Sequence, residues 1–348
     1  MPQYYEYELM KAANKLVTET LNLKPGETLV ITADTESDFR VVDATAAATF
    51  AAECKPLVLW NGAPLGVGKA GDSYLPGEAI CAALIKADAW VEYNNKWILY
   101  SRTYEKVMEA NKKLRHIAYC GMDVGMMVRV IGRVDIELLE KYQNRLLSLI
   151  QAARHVRLRT PAGGDVEFEN EPTRAYVNEF GHADTPGTHG MGGEISWAPI
   201  TETINGAIVF EGSINPPFGL IKEPVRLNVR NGRIEKIEGG PEARVYEAWL
   251  NSFGHPNMLR FAHVSIGCNP GARLSGKVIE DERIWGNTWW GIGYSGSFLT
   301  GGDPIDAPSH SDGICLNTSL WLDRKKIWDQ GRSLDHGLNI LAKKLGKN

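Results

Sequence analysis

His310 and Asp312 stand one residue apart in Ser309-His310-Ser311-Asp312-Gly313, between the Gly-rich run Thr300-Gly301-Gly302-Asp303 and an apolar stretch over 314–322. Residues two apart on a strand share a face, so this imidazole and carboxylate can point at one ion. A further histidine, His263, lies in another strand-like run over 259–266. Two histidines and one carboxylate suit a mononuclear Fe(II) centre that keeps open coordination positions. The same pair could instead be a carboxylate orienting a histidine, and the pattern alone leaves both readings open. His116, His155, His255 and His336 read as surface or hydrogen-bonded core residues. Glu280-Asp281-Glu282-Arg283 reads as a solvated acidic turn rather than a ligand set.

Other chemistries lack their signatures. There is no G-x-S-x-G, only Gly293-Tyr294-Ser295-Gly296, and no H-E-x-x-H. The five cysteines are odd in number and form no C-x-x-C pair, so free thiols in a reducing cytosol are expected. A net charge of −4 gives no footprint for nucleic acid or an anionic membrane. No apolar run approaches the ~20 residues of a membrane span, and the N-terminus lacks a signal peptide's blocks. The expected location is therefore cytoplasmic.

The elements that must position these residues fall into two rhythms. Through residue 152 helices and strands alternate: helix 5–21, strand 28–32, helix 38–53, strand 57–60, helix 77–86, strand 89–93, helix 102–112, strand 115–120 and helix 135–152. That alternation implies a parallel sheet covered on both faces. The turn after the first strand, Ala33-Asp34-Thr35-Glu36-Ser37, has no G-x-G-x-x-G and carries acidic residues, which argues against dinucleotide binding. Beyond residue 155 short strands dominate. Asn231-Gly232 between alternating apolar runs predicts a hairpin, and one helix is expected over 241–252. The expected architecture is an α/β N-terminal domain (1–155) with a mostly parallel sheet, then a β-rich (α+β) C-terminal domain (156–348) carrying the metal site.

Several motifs carry a family resemblance. Gly192-Gly193-Glu194, Ala198-Pro199, Thr203-Ile204-Asn205-Gly206, Ile266-Gly267-Cys268-Asn269-Pro270-Gly271, Glu282-Arg283-Ile284-Trp285-Gly286 and Ser309-His310-Ser311-Asp312 resemble the aminopeptidase T type of metallo-aminopeptidase over residues 176–323. Two positions depart. His263 stands where those peptidases have a glutamate, and Trp289 where they have a histidine. A two-metal site needs several bridging carboxylates and histidines, so these losses imply a single ion. What remains, with Glu179-Phe180-Gly181-His182-Ala183-Asp184-Thr185-Pro186-Gly187 and Gly286-Asn287, resembles the 2,5-dihydroxypyridine 5,6-dioxygenase branch of that superfamily.

The resemblance implies an Fe(II)-dependent ring-cleaving dioxygenase acting with O₂ on a small hydroxylated aromatic. An N-heterocycle such as 2,5-dihydroxypyridine is the expected substrate. It implies His263, His310 and Asp312 as metal ligands; such chemistry also needs acid–base help, for which Glu179, His189 and Tyr100 are the candidates. Tyr100 takes the place of a histidine in the branch's first domain. Trp289 and Tyr294 are the substrate-binding candidates, and a homodimer or higher homo-oligomer is expected. The alternative is a metallo-aminopeptidase using Glu194, Glu282 and Tyr294; a non-enzymatic binding protein with a degenerate site is a third reading.

Overall fold

Helices and strands alternate from Glu6 to Ala152 in the computed structural model, which describes residues 5–348. Leu29, Val30 and Ile31 in the strand Thr28–Asp34 are fully buried, as a parallel strand covered on both faces requires. Five parallel strands run in the order Lys55–Asn61, Thr28–Asp34, Ala89–Glu92, Arg115–Ala118, Gly187–His189. The first four coincide with the expected strands to within a few residues. The fifth enters from beyond the alternating region, and at three residues it is too short to show a periodicity.

Within this unit Glu92 is fully buried, and its Oε1 accepts hydrogen bonds from the backbone N–H groups of Ile98 and Leu99. The carboxylate thereby pins the loop that carries Tyr100, whose backbone sits at φ +65°. His116 is a core residue, stacked on Trp90 at 3.9 Å between ring centroids and 3.3 Å from Glu92.

The chain divides into two compact units: residues up to Ile136 with Glu179–Gly192, and Glu137–Asn178 with Gly193–Asn348. The boundary expected at 155–156 thus differs from the observed division. Most of the helix Ile136–Ala152 sides with the second unit, where Tyr142 bonds Ser333 (2.9 Å), Arg145 pairs with Asp335, and the Asn170 amide caps the carbonyls of Ile150 and Ala153.

The second unit is a sandwich of an eight-stranded and a seven-stranded sheet. Phe168 from the first sheet meets Trp290 of the second edge-on at 5.6 Å, and the Phe210 ring lies against Gly313. Truncating such a buried aromatic costs about 3–5 kcal/mol, so this apolar layer anchors the sheet whose other face concerns function. The expected hairpin forms with Asn231-Gly232 at its tip, and the helix Pro241–Ser252 has the expected bounds.

The 280–283 cluster is not a solvated turn: Glu280, Asp281, Glu282 and Arg283 are all buried. The short helix Val278–Asp281 folds inward because Asp281 accepts hydrogen bonds from Ser275 N (2.7 Å), Gly276 N (2.9 Å) and Ser213 Oγ (2.7 Å). Buried donors left without an acceptor cost ~1–3 kcal/mol each. Asp281→Ala should therefore lower the unfolding free energy by about 2–4 kcal/mol in urea titrations; a loss under about 0.5 kcal/mol would mark the residue as solvated.

Candidate metal centre

Three neighbouring antiparallel strands of the seven-stranded sheet build the site: Phe261–Gly267, Thr288–Ser295 and Ile305–Cys315. In their register His263 lies opposite Gly291, and Gly291 opposite Asp312; the next pair on the same face is Gly293 with His310. Side chains opposite one another across an antiparallel pair project from the same face. The face therefore carries His263 and Ser265, then Trp289, Gly291 and Gly293, then His310 and Asp312. Trp290 and Ile292, of opposite parity, serve the apolar core.

Gly291 makes room for the His263 ring, and Gly293 for the Ser309 backbone beside His310. A Cβ on Gly291 would sit 2.2 Å from His263 Nε2. Gly293 has φ +96°, and a Cβ there would sit 2.4 Å from the Ser309 carbonyl. Over this cleared strip His263 Nε2 and His310 Nε2 stand 3.3 Å apart. Asp312 Oδ1 is 2.9 Å from His310 Nε2 and 3.8 Å from His263 Nε2. Ligand atoms about 2.1 Å from one ion stand ~3–3.4 Å from each other, so the three residues fit a single divalent cation. They are the cluster among the described residues able to hold one. Imidazole and carboxylate donors suit a first-row transition metal.

Electrostatics follow from burial. Burial, reinforced by neighbouring His310 and opposed by Asp312, pulls His263 down to about 4. At His310 burial pulls the same way, but the Asp312 carboxylate, its hydrogen bond and the Tyr294 carbonyl outweigh it and raise the imidazole. The Tyr294 carbonyl accepts from His310 Nδ1 at 2.7 Å, which leaves Nε2 facing the site. Burial, with Glu194 and Asp312 nearby, pushes the Glu282 carboxyl up against the pull of Arg283. Burial likewise pushes up the Cys268 and Cys315 thiols, so neither is a ready thiolate.

The sequence candidates divide between the units. His263, His310, Asp312 and Trp289 come together, with the Trp289 ring edge-on to His263 at 4.9 Å. Tyr294 contributes its carbonyl to His310, while its side chain is half exposed. Tyr100, Glu179 and His189 belong to the other unit. There Tyr100 is two-thirds exposed against the edge of Tyr104, and His189 Nε2 bonds the Thr185 carbonyl at 2.8 Å. Glu179 closes the strand Tyr176–Glu179, half-buried. Sequence reasoning missed Gly291, Gly293, Ser196, Ser265 and Arg283. The glycines had a signal: small residues at alternate positions of a strand mark a close approach.

A sequence model of the family described as 2,5-dihydroxypyridine 5,6-dioxygenase (NicX) matches residues 9–335. A 2,5-dihydroxypyridine 5,6-dioxygenase of Pseudomonas putida is 29% identical over 193 residues, 52% of this chain and 54% of the relative. That alignment spans about half of the relative's length. Among solved structures, a 2,5-dihydroxypyridine dioxygenase from Pseudomonas putida has a TM-score of 0.77 at 20% identity, covering 97% of this chain and 100% of that one. AmpT from Thermus thermophilus has a TM-score of 0.68 at 14% identity, covering 95% and 100%. Both likenesses are of fold. No helix among the described residues is long and apolar enough to cross a membrane.

Two outcomes test this geometry. Gly291→Ala should displace the His263 ring and weaken Co²⁺ binding at least ~10-fold while the chain stays folded; wild-type affinity would show that the glycine is not needed. Co²⁺ must also displace the proton that the raised His310 holds, whereas His263 has already lost its own. Affinity should therefore rise with pH through the imidazole range with a slope of one proton per ion, then level off. A slope of two would mean that His263 titrates there as well.

Proposed function

This chain belongs to the 2,5-dihydroxypyridine 5,6-dioxygenase family, and from that membership and the site geometry we propose that it cleaves the ring of a small hydroxylated aromatic with O₂ at a single Fe(II). The observation that carries the reading is the convergence of two imidazole nitrogens and one carboxylate oxygen on a strip cleared by glycine, beside an indole. The relative's name makes an N-heterocycle such as 2,5-dihydroxypyridine the substrate to try first.

His263 and His310 would hold the ion through Nε2 and Asp312 through Oδ1, a two-histidine, one-carboxylate donor set suited to Fe(II). When bound, Fe(II) supplies the electron transfer between an electron-rich ring and O₂ that side chains cannot. The rest falls to this chain's own groups. Trp289, buried with its ring edge-on to His263, would form the apolar wall of the site against which an aromatic ring packs. Tyr294 would close the substrate's exposed side. His189 gives its Nε2 proton to the Thr185 carbonyl, so Nδ1 is the acceptor that could take a ring-hydroxyl proton. Glu179 is the second candidate for that proton, and the Tyr100 phenol is the candidate for returning one. A two-metal peptidase centre is the weaker reading, because two carboxylates it would use, Glu194 and Glu282, are both paired with Arg283.

The test is O₂ consumption by protein loaded anaerobically with Fe(II), on adding 2,5-dihydroxypyridine and related hydroxylated rings. One O₂ per ring, with loss of the ring's ultraviolet band, is expected. Since partners one step removed from a metal already cost ~10–100-fold when lost, His263→Ala, His310→Ala and Asp312→Ala should each lower turnover by more than ~100-fold and lose iron. Normal turnover in any one sinks the ligand set. Tyr100→Phe should lower turnover and leave iron content unchanged; unchanged kinetics would make Tyr100 a packing residue.

A further inference from the structure

Glu194, Ser196, Ser265 and His263 stand in a single file of hydrogen bonds along one face of the sheet, and its proton direction can be worked out from one end. The Arg283 guanidinium, which has only donors, faces Glu194 Oε2. Glu194 Oε1 accepts the Ser196 hydroxyl at 2.5 Å. A hydroxyl has one proton, so at its 2.6 Å contact with Ser265 the Ser196 oxygen must accept. Ser265 thus gives its own proton to Ser196 and can only accept from His263 Nδ1, 3.3 Å away. Nδ1 carries the proton, and Nε2 turns a lone pair toward His310 and Asp312. All four residues are buried, which keeps solvent from offering alternative partners. The strand register explains the alignment: Ser196 lies opposite Ser265 and Glu194 opposite Gly267, on the face that carries His263.

We infer that Glu194, Ser196 and Ser265, anchored by Arg283, are positioning residues that fix the tautomer and ring orientation of His263 for metal binding. The Tyr294 carbonyl does the same for His310 in one step. A histidine's free nitrogen is commonly set by the partner of its other one; here the setting is transmitted through two hydroxyls from an ion pair. The inference rests on the proposed ligand set of His263, His310 and Asp312.

The discriminating change is Glu194→Gln, which keeps the shape and reverses the file. Arg283 still needs an acceptor, so the glutamine carbonyl turns to it and the amide N–H₂ faces Ser196. Ser196 then accepts, Ser265 receives its proton, and Ser265 donates to Nδ1, leaving the proton on His263 Nε2. Two readouts are independent of turnover. Nitrogen-15 NMR of metal-free protein should show His263 protonated at Nδ1 in the unsubstituted chain and at Nε2 in Glu194→Gln. Co²⁺ affinity, followed by its visible absorption, should fall ~10–100-fold in the variant. Ser196→Ala frees the Ser265 hydroxyl to donate to Nδ1 and should give mixed tautomers with about 10-fold weaker Co²⁺ binding; it decides the matter if Glu194→Gln does not fold. Wild-type tautomer and affinity in the folded variants, or an Nε2–H form in the unsubstituted protein, would overturn the inference. Failure of the unsubstituted protein to bind Co²⁺ at all would overturn the ligand set instead, while the NMR pattern would still decide the direction of the file.

Discussion

Two imidazole nitrogens and a carboxylate oxygen are held 2.9–3.8 Å apart in a site partly removed from water, with the one proton on His310 between them. Once that proton gives way to an ion, the three facing lone pairs repel whenever the ion is absent, and more strongly where the dielectric is low. The chain resists that repulsion with a sheet paired on both sides of each ligand strand and packed on its far face by Phe168, Phe210 and Tyr246. Tyr246 bonds Ser311, the residue between His310 and Asp312, and Ser311 in turn bonds the Pro216 carbonyl at 2.7 Å. The ligand pair is thus pinned from behind by a residue of opposite parity. A close-packed support of this kind holds side chains at spacings they would leave if free.

The same strands carry two incompatible surfaces, and period-2 alternation keeps them apart. Trp290 and Ile292 supply the apolar layer; Trp289, Gly291 and Gly293 supply the site layer. A one-residue slip of Thr288–Ser295 would put Trp290 against the histidines and a glycine into the core. Register is therefore enforced twice, once by burial and once by the space that the rings occupy.

Much of this was legible in the sequence. The alternating helices and strands, the hairpin at Asn231-Gly232 and the helix from Pro241 follow from local periodicity and turn chemistry. His310 and Asp312 were legible because their spacing equals the strand period, and His263 because a histidine in an apolar run needs a reason. The strand Gly187–His189 was not, since three residues hold no period and its partner lies about 70 positions earlier. The 280–283 cluster misled because four charged residues in a row look solvated. What buries them is a set of acceptors for backbone N–H groups and an ion pair, neither visible without the register. Ser196 and Ser265 were silent for the same reason: a serine acquires a role only from what faces it.

Gly187–His189 pairs with Arg115–Ala118, yet the chain first runs through a helix and the opening strands of the second unit. During synthesis, which adds about 5–20 residues per second, a preceding domain ordinarily folds before its successor is complete. Here the first unit's sheet has an open edge at Arg115–Ala118 until residue 189 has been made, several seconds later at those rates. An unpaired edge is a template for wrong partners. The nascent first unit therefore carries an interval in which the Arg115–Ala118 edge is bare, until the short strand bearing His189 covers it and leaves only a three-residue edge in its place.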